Sequence, residues 1–294
     1  MRQAERTLLL LCGALDDGIP PLTPREYRTL RLRVTQSGAS TQGRLTEHYL
    51  RSLGYPADAA ERIAGLLERQ AALDVFLSRA ARSGVTVLTR LSDGFPARLR
   101  RLGDDCPALL FFRGEMQLLQ SPCISLVGSR ALRPENRAFA DAIGRLAAKE
   151  GYTLVSGGAA GADRAAQDGC LAAGGRVICI VPDELTRRPP QDNLLLCSED
   201  GWHSPFTAAR ALHRNHLIHA LGEKTFVAQS SLQTGGTWAG TQDNLRRALS
   251  PVFVFQDGSS AAEALAHLGA QPLLRAPDSI AALHPRQLSI FDGI

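Results

Sequence analysis

From Val85 onward the chain alternates short apolar runs rich in β-branched residues with amphipathic helical stretches, and few folds satisfy that order. The candidate strands are Val85 to Leu88, Leu109 to Phe112, Ile124 to Val127, Thr153 to Val155, Val177 to Val181, Thr225 to Gln229 and Val252 to Phe255. Helical spacing is clearest at Arg137 to Lys149, Arg164 to Ala173, Ala208 to Ala220 and Gln242 to Leu249. Runs that are apolar throughout suit strands buried on both faces, and parallel neighbours need a crossover of helix length between them. The pattern predicts an α/β fold with a doubly wound, mostly parallel sheet.

The first 83 residues follow a different rule. Apolar positions recur at helical spacing, and Thr23-Pro24-Arg25-Glu26 supplies an N-cap, a proline at the first helical position and a capping-box glutamate. Further helix starts are expected near Leu45 and Pro56, with an alanine-rich periodic run from Ala57 to Ala81 that stops at Ser83-Gly84. The expected organisation is a small all-helical domain over 1–83, the α/β domain over 84–283 and an extended tail over 284–294. A chain of 294 residues accommodates both domains with a sizeable core. Six cysteines lie scattered with no C-x-x-C pair, mostly among apolar neighbours as in Ile178-Cys179-Ile180, and read as buried thiols in a reducing cytoplasm. The apolar run Thr7 to Cys12 is too short to span a membrane and lacks a small-residue cleavage site, so no membrane association is expected.

In an open parallel sheet, ligands sit beyond the carboxyl ends of the strands. Three segments there have unusual composition: Gly128-Ser129-Arg130, the run from Ser156 through Gly157, Gly158 and Gly161 to Asp163, and the run Thr234-Gly235-Gly236-Thr237 that continues through Trp238 and Gly240 to Thr241. Glycines at a strand-to-helix turn let backbone N–H groups converge, and the following helix adds its own free donors and positive dipole end, which together make an anion site. Arg130 is placed to offer a fixed charge and a fork of donors to a phosphate, or to pair with a neighbouring carboxylate. Asp163 repels phosphate, so it is expected to cap the helix opening at Ala162 or to orient loop donors, ahead of a contact to a ribose hydroxyl. The segment Ala208 to Ala220 reads as one basic helix with Arg210, His213, Arg214, His216 and His219, and with Leu212, Leu217 and Leu221 as its buried stripe. Arg214 and Asn215 are expected to face the same crevice. The histidines lack metal-ligand spacing with carboxylates, and neither a metal nor a cofactor is expected. Trp202, Phe206 and Trp238 are the nearby aromatics, able either to stack on bases or to anchor the core.

With these residues in order, the sequence resembles the DprA/Smf DNA-processing family from about Val85 to Leu283. The matching signposts are Gly84 to Thr89, Phe95-Pro96-Ala97-Arg98-Leu99, Leu109 to Gly114, Val127 to Arg130, Val155 to Asp163, Gly174-Gly175, Ser198-Glu199, Arg214-Asn215 and Gly269 to Leu273. The resemblance implies a Rossmann-like domain preceded by a small helical domain, and a homodimer. It implies a non-enzymatic protein that binds single-stranded DNA through its backbone, protects it and assists loading of the RecA recombinase during recombination or natural transformation. Sequence-tolerant binding of that kind uses phosphate contacts rather than base edges. The chain departs from the family pattern at Ala160 and Ala162, where an arginine and an isoleucine are usual, and at Gln167, where a histidine is usual. A family loop with tyrosine, proline and lysine is reduced to Arg187 through Asn193, and the usual R-N-R becomes Arg214-Asn215-His216.

Other readings stay open. Gly235-Gly236 with Gly240-Thr241 resembles the glycine motif of nucleoside-monophosphate phosphoribohydrolases, with a different spacing, so a nucleotide-processing enzyme or a small-nucleotide sensor are the alternatives. In the tail, Gln287 to Phe291 resembles the peptide by which bacterial proteins dock on the replication sliding clamp. Leu288, Ile290 and Phe291 would then be pocket anchors, or they fold back on the core. Arg25, Arg28, Arg31, Arg33, Arg44 and Arg51 form either an auxiliary DNA patch or a solvated helix face. The formal net charge of +4 is compatible with a polyanionic partner without requiring one.

Overall fold

The structure, a computed structural model, describes residues 1–38 and 45–285. Arg44 and the tail segment holding Gln287, Leu288, Ile290 and Phe291 lie outside the described residues. Five helices come first: α1 (Gln3–Cys12), α2 (Pro24–Gln36), α3 (Glu47–Ser52), α4 (Ala57–Leu67) and α5 (Gln70–Arg82). The capping box at α2 forms as its sequence dictates. Thr23 Oγ1 accepts from the Glu26 N–H at 3.2 Å, and the Glu26 carboxylate accepts from the Thr23 N–H at 2.7 Å. The run 57–81 is two helices instead of one, because the chain leaves helical geometry at Arg69. There the buried Arg69 guanidinium donates to carbonyls of Leu66 and Gly13 and pairs with Asp17 at 3.2 Å.

The remainder is a nine-stranded sheet comprising β1 (Val85–Thr89), β2 (Leu109–Gly114), β3 (Cys123–Val127), β4 (Thr153–Ser156), β5 (Arg176–Ile180), β6 (Leu194–Ser198), β7 (Thr225–Val227), β8 (Val252–Phe255) and β9 (Gln271–Leu273). Their spatial order is β1-β2-β6-β5-β4-β3-β7-β8-β9. The pairs from β6 through β9 are parallel, and only β1–β2 and β2–β6 are antiparallel. This is the doubly wound, mostly parallel architecture that the alternating pattern predicts. The crossover helices are α6 (Pro134–Lys149), α7 (Ala162–Ala172), α8 (Ala208–His213), α9 (Asn215–Leu221), α10 (Gly235–Arg247) and α11 (Ser260–His267). Strands β3 and β4 are buried along their whole length, as expected of sheet covered on both faces.

Four further features differ from the sequence expectation. Strands β6 and β9 are additional; β9 carries Pro272 and pairs with β8 alone, at the sheet edge where a residue without an N–H is tolerated. The basic helix breaks at Arg214 into α8 and α9, and Leu212 is left 54 % exposed while Leu217 and Leu221 are buried. The glycine-rich run after β7 is no loop: Gly235 to Thr241 forms the first turns of α10. All six cysteines are free, five of them buried and Cys12 partly exposed.

The chain winds one way from β3 through β4, β5 and β6 and then returns to the other side of β3 to lay down β7, β8 and β9. The strand order therefore reverses between β3 and β7. Adjacent helices leaving in opposite directions open a crevice there, and this position fixes where a ligand site forms.

Candidate functional site

A cavity of about 580 Å³ opens at that reversal point. It brings together Gly128, Ser129, Arg130, Asp163, Arg214, Asn215, Gly235, Gly236 and Thr237 from the sequence-derived set. Thr234, which opens the glycine-rich run, lines it as well, and so do Gln229 and Ser231, which the sequence reading does not single out as site residues. Both follow β7, and the cue was available: polar residues after a buried strand at the same sheet edge. Ser156, Gly157, Gly158, Gly161 and Thr241 do not line the cavity. They lie in β4, the loop after it and α10, and the last two carry lining residues.

In the loop after β4, the backbone N–H groups of Gly157 and Ala159 donate to Asp163, the second residue of α7, at 3.1 Å and 3.2 Å. Two of the loop's donors are thus turned inward onto a carboxylate. Ser156 is fully buried and its Oγ accepts from Gln167 Nε2 at 2.7 Å, so Gln167 holds the strand end where the family pattern has a histidine. Gly161 has φ +85, and a Cβ there would lie 2.3 Å from the carbonyl oxygens of both Ser129 and Arg130. Only glycine lets the two loops touch, because that backbone conformation is strained for any other residue and the neighbours are main chain.

Arg214 is 5 % exposed and lies beneath the same loop. Its guanidinium donates to the Ile180 carbonyl, and a Cβ on Gly157 would fall among its nitrogens. Burial pushes the Asp163 carboxyl up to about 6, against the pull of Arg214 and the two loop N–H donors, and burial also lowers Arg214. Both groups are desolvated at the cavity and act on each other through space, without a direct ion pair. Arg214 is therefore committed to protein partners to a degree that its place in the sequence does not reveal.

Arg130 is the opposite case. It is exposed, and among the described residues its side chain makes no hydrogen bond or ion pair. At α7 the N–H groups of Ala162 and Arg164 are already taken by the carbonyls of Ser129 and Ala159, both at 3.1 Å, but Arg130 also stands beside the start of α10, where Thr234 supplies no side-chain cap. Uncapped first-turn N–H groups are free donors at the positive end of a helix dipole. Asn215 Nδ2 donates to the Gly236 carbonyl at 3.1 Å and so fixes the start of α10 against α9; a Cβ on Gly236 would meet that amide at 3.0 Å. Thr241 is fully buried.

Trp202 and Trp238 are buried at 6 % and 7 % exposure and serve the core, whereas Phe206 is 49 % exposed near the start of α8. Arg188 pairs with Asp183 at 2.8 Å and Arg187 stays largely exposed. In the helical segment Arg28 and Arg31 converge on Asp104, and Arg33 stacks over Tyr55, so that arginine set is partly engaged within the protein. Among the described residues one group of possible metal ligands occurs: Glu199, His213 and His216. No helix among the described residues is long and apolar enough to cross a membrane.

A family model described as DNA recombination-mediator protein A matches residues 86–284. The DNA processing protein DprA of Bacillus subtilis is 28% identical over 166 residues, covering 52% of this chain and 54% of that protein. DprA of Streptococcus pneumoniae is 30% identical over 158 residues, covering 49% and 54%. The matched segments span about half the length of these curated relatives. The solved structure of the Streptococcus pneumoniae protein aligns over 90% of this chain and 99% of that chain, with TM-score 0.62 and 22% identity, a likeness of fold. A Helicobacter pylori DNA processing protein A, described for its single-stranded DNA binding mode, aligns over 65% of this chain and 91% of that chain with TM-score 0.55 and 25% identity.

Proposed function

The chain belongs to the DNA recombination-mediator protein A family, and from that premise we propose that it binds single-stranded DNA through the cavity between β3 and β7 as a non-enzymatic, cytoplasmic DNA-processing protein. One observation carries the proposal. The exposed, unpaired Arg130 shares a wall with the uncapped N-terminus of α10, which is the chemistry of a phosphate seat. Gly128, Ser129, Gly235, Gly236 and Thr237 line the track. Arg214, Asp163 and the glycines at 157, 158 and 161 hold it in shape. A backbone-reading site of this kind binds without strong sequence preference, which suits a protein that coats exposed or incoming DNA and hands it to RecA. The same reading treats 1–83 as a helical unit, 84–283 as the DNA-binding unit and 284–294 as a tail whose Gln287 to Phe291 segment docks on the sliding clamp, with two chains forming a homodimer.

The test is a titration of labelled oligo-dT against double-stranded DNA of the same length at two salt concentrations. Binding of single strands at about micromolar affinity or tighter, weakening steeply with salt, is expected. Salt-insensitive or undetectable binding overturns the proposal. Tight mononucleotide binding without oligonucleotide binding would identify a nucleotide sensor instead, and release of free base from nucleoside monophosphates would identify a phosphoribohydrolase.

A further inference from the structure

Glu199 follows β6 directly, and its side chain is 8 % exposed. Its Oε2 lies 3.4 Å from Nε2 of His216, also 8 % exposed, and 3.7 Å from Nε2 of the exposed His213. The two imidazoles face one another with ring centroids 4.6 Å apart. Three ligand atoms thus converge from the end of one strand and the junction of two helices.

The hydrogen bonding of His216 says what the convergence is for. Its Nδ1 meets the carbonyl oxygen of His213, and a carbonyl can only accept, so Nδ1 carries the proton. In the neutral ring Nε2 is then a bare lone pair, and it points at a carboxylate oxygen, another acceptor. Neither His216 Nε2 nor Glu199 Oε1 has a hydrogen-bond partner, although both are buried. Two buried acceptors facing each other are repulsive unless a proton or a cation lies between them. A histidine that donates Nδ1–H to a backbone carbonyl and presents Nε2 is in the tautomer and orientation of a metal ligand. Tetrahedral coordination at about 2.0–2.1 Å separates ligand atoms by roughly 3.4 Å, matching the two carboxylate-to-imidazole edges.

We infer that Glu199, His213 and His216 bind one divalent transition-metal ion of the zinc class. Two imidazoles and one carboxylate suit such an ion, whereas calcium and magnesium prefer an all-oxygen set. Glu199 and His213 also line a second cavity of about 300 Å³ at the seam with the helical segment, which gives the ion an entry path and a place for a water ligand. The two histidines flank Arg214 and Asn215 in sequence. Binding therefore ties the end of β6 to the segment that supports the loop after β4 and the start of α10. This site does not depend on the DNA-binding proposal, since its ligands lie outside the Arg130 wall.

The experiment uses the full chain without an affinity tag, stripped with a chelator and titrated with zinc alone against a chromophoric competitor, with thermal unfolding in parallel. One ion per chain and a raised unfolding temperature are expected for the wild type. His213→Ala tests the site at an exposed position that leaves the core intact; it should bind zinc about tenfold or more weakly and lose the thermal shift. Glu199→Gln should do the same. Cobalt in place of zinc should give tetrahedral d–d absorption that His213→Ala abolishes. Substoichiometric binding, or affinity and thermal shift unchanged in His213→Ala, overturns the inference and leaves a proton shared between Glu199 and His216.

Discussion

At the scale of single residues, the cavity separates groups left exposed to its interior from groups engaged within the protein. Arg130 is exposed and engaged with no described partner, so Arg130→Ala should leave stability within about 0.5 kcal/mol of wild type. It should weaken oligo-dT binding about tenfold or more at low salt and reduce the slope of log K against log salt by about one. Equilibrium unfolding and a salt series check both halves. Gly161 is the reverse. Gly161→Ala combines φ +85 with main-chain oxygens 2.3 Å from the new methyl group, and should cost about 2 kcal/mol or more in urea unfolding. Gly258 is the control, with φ +74 and nothing within 4 Å of a Cβ; Gly258→Ala should cost only about 1 kcal/mol. Equal losses at the two positions would show that the contact between the 128–130 and 156–163 loops is slack. Sequence shows that both loops carry glycine. It does not distinguish a glycine that admits a ligand from one that admits another loop, because the distinction depends on which chain segment lies opposite.

At the scale of elements, the strands that run apolar from end to end were legible, and so were the helix starts marked by a cap such as Thr23. The elements that escaped share a cause: tertiary contacts decide them against local preference. Helix α10 begins at Gly235 although glycine is a poor helix former, since Asn215 and Leu212 crowd Gly236 and leave little room for a side chain. The break between α8 and α9 falls at Arg214, whose guanidinium is drawn beneath the Gly157 loop, and no periodicity encodes that pull. Strand β6 reads as an unremarkable leucine run until β2 and β5 pair with it. Helix α9 also carries a pH response. His219 is 1 % exposed; burial holds its ring down at about 4, with His216 acting in the same direction and Asp243 of α10 opposing. Its folded pKa lies below the unfolded value, so the stability of the neutral ring is present above about pH 6.5 and is lost as pH falls toward 4. That loss is on the order of 3 kcal/mol. The Asn244 amide donates to His219 Nδ1 at 3.1 Å, which fixes the neutral form. His219→Gln should lower stability at pH 7 and flatten the decline between pH 6.5 and 4. Parallel wild-type and variant curves across that range would rule out a neutral buried ring.

At the scale of the whole molecule, the composition change near residue 83 suggests two domains, whereas the packing joins them. Leu8, Leu9, Leu10, Phe76 and Ala80 from the helical segment belong to the same buried cluster as Leu109, Phe111, Ile124 and Phe226 from the sheet. Phe76 is 1 % exposed and meets Phe111 edge-on at 6.2 Å between ring centroids and Trp202 at 6.5 Å. Glu5 on α1 is likewise buried against the α/β part, accepting from Ser92 Oγ at 2.6 Å. Contacts between independent domains are ordinarily small and polar, while a shared apolar core makes unfolding of one part expose the other. The full chain should therefore unfold in one calorimetric transition, with equal calorimetric and van't Hoff enthalpies. Phe76→Ala should lower that whole transition by roughly 3–5 kcal/mol instead of splitting off a helical step. Removing residues 1–83 would uncover Phe111 and Trp202 at once, and the remaining chain should be unstable or associate through that face. Two resolved transitions, with Phe76→Ala moving only the first, would show instead that the helical segment is a separately folding unit resting on the sheet.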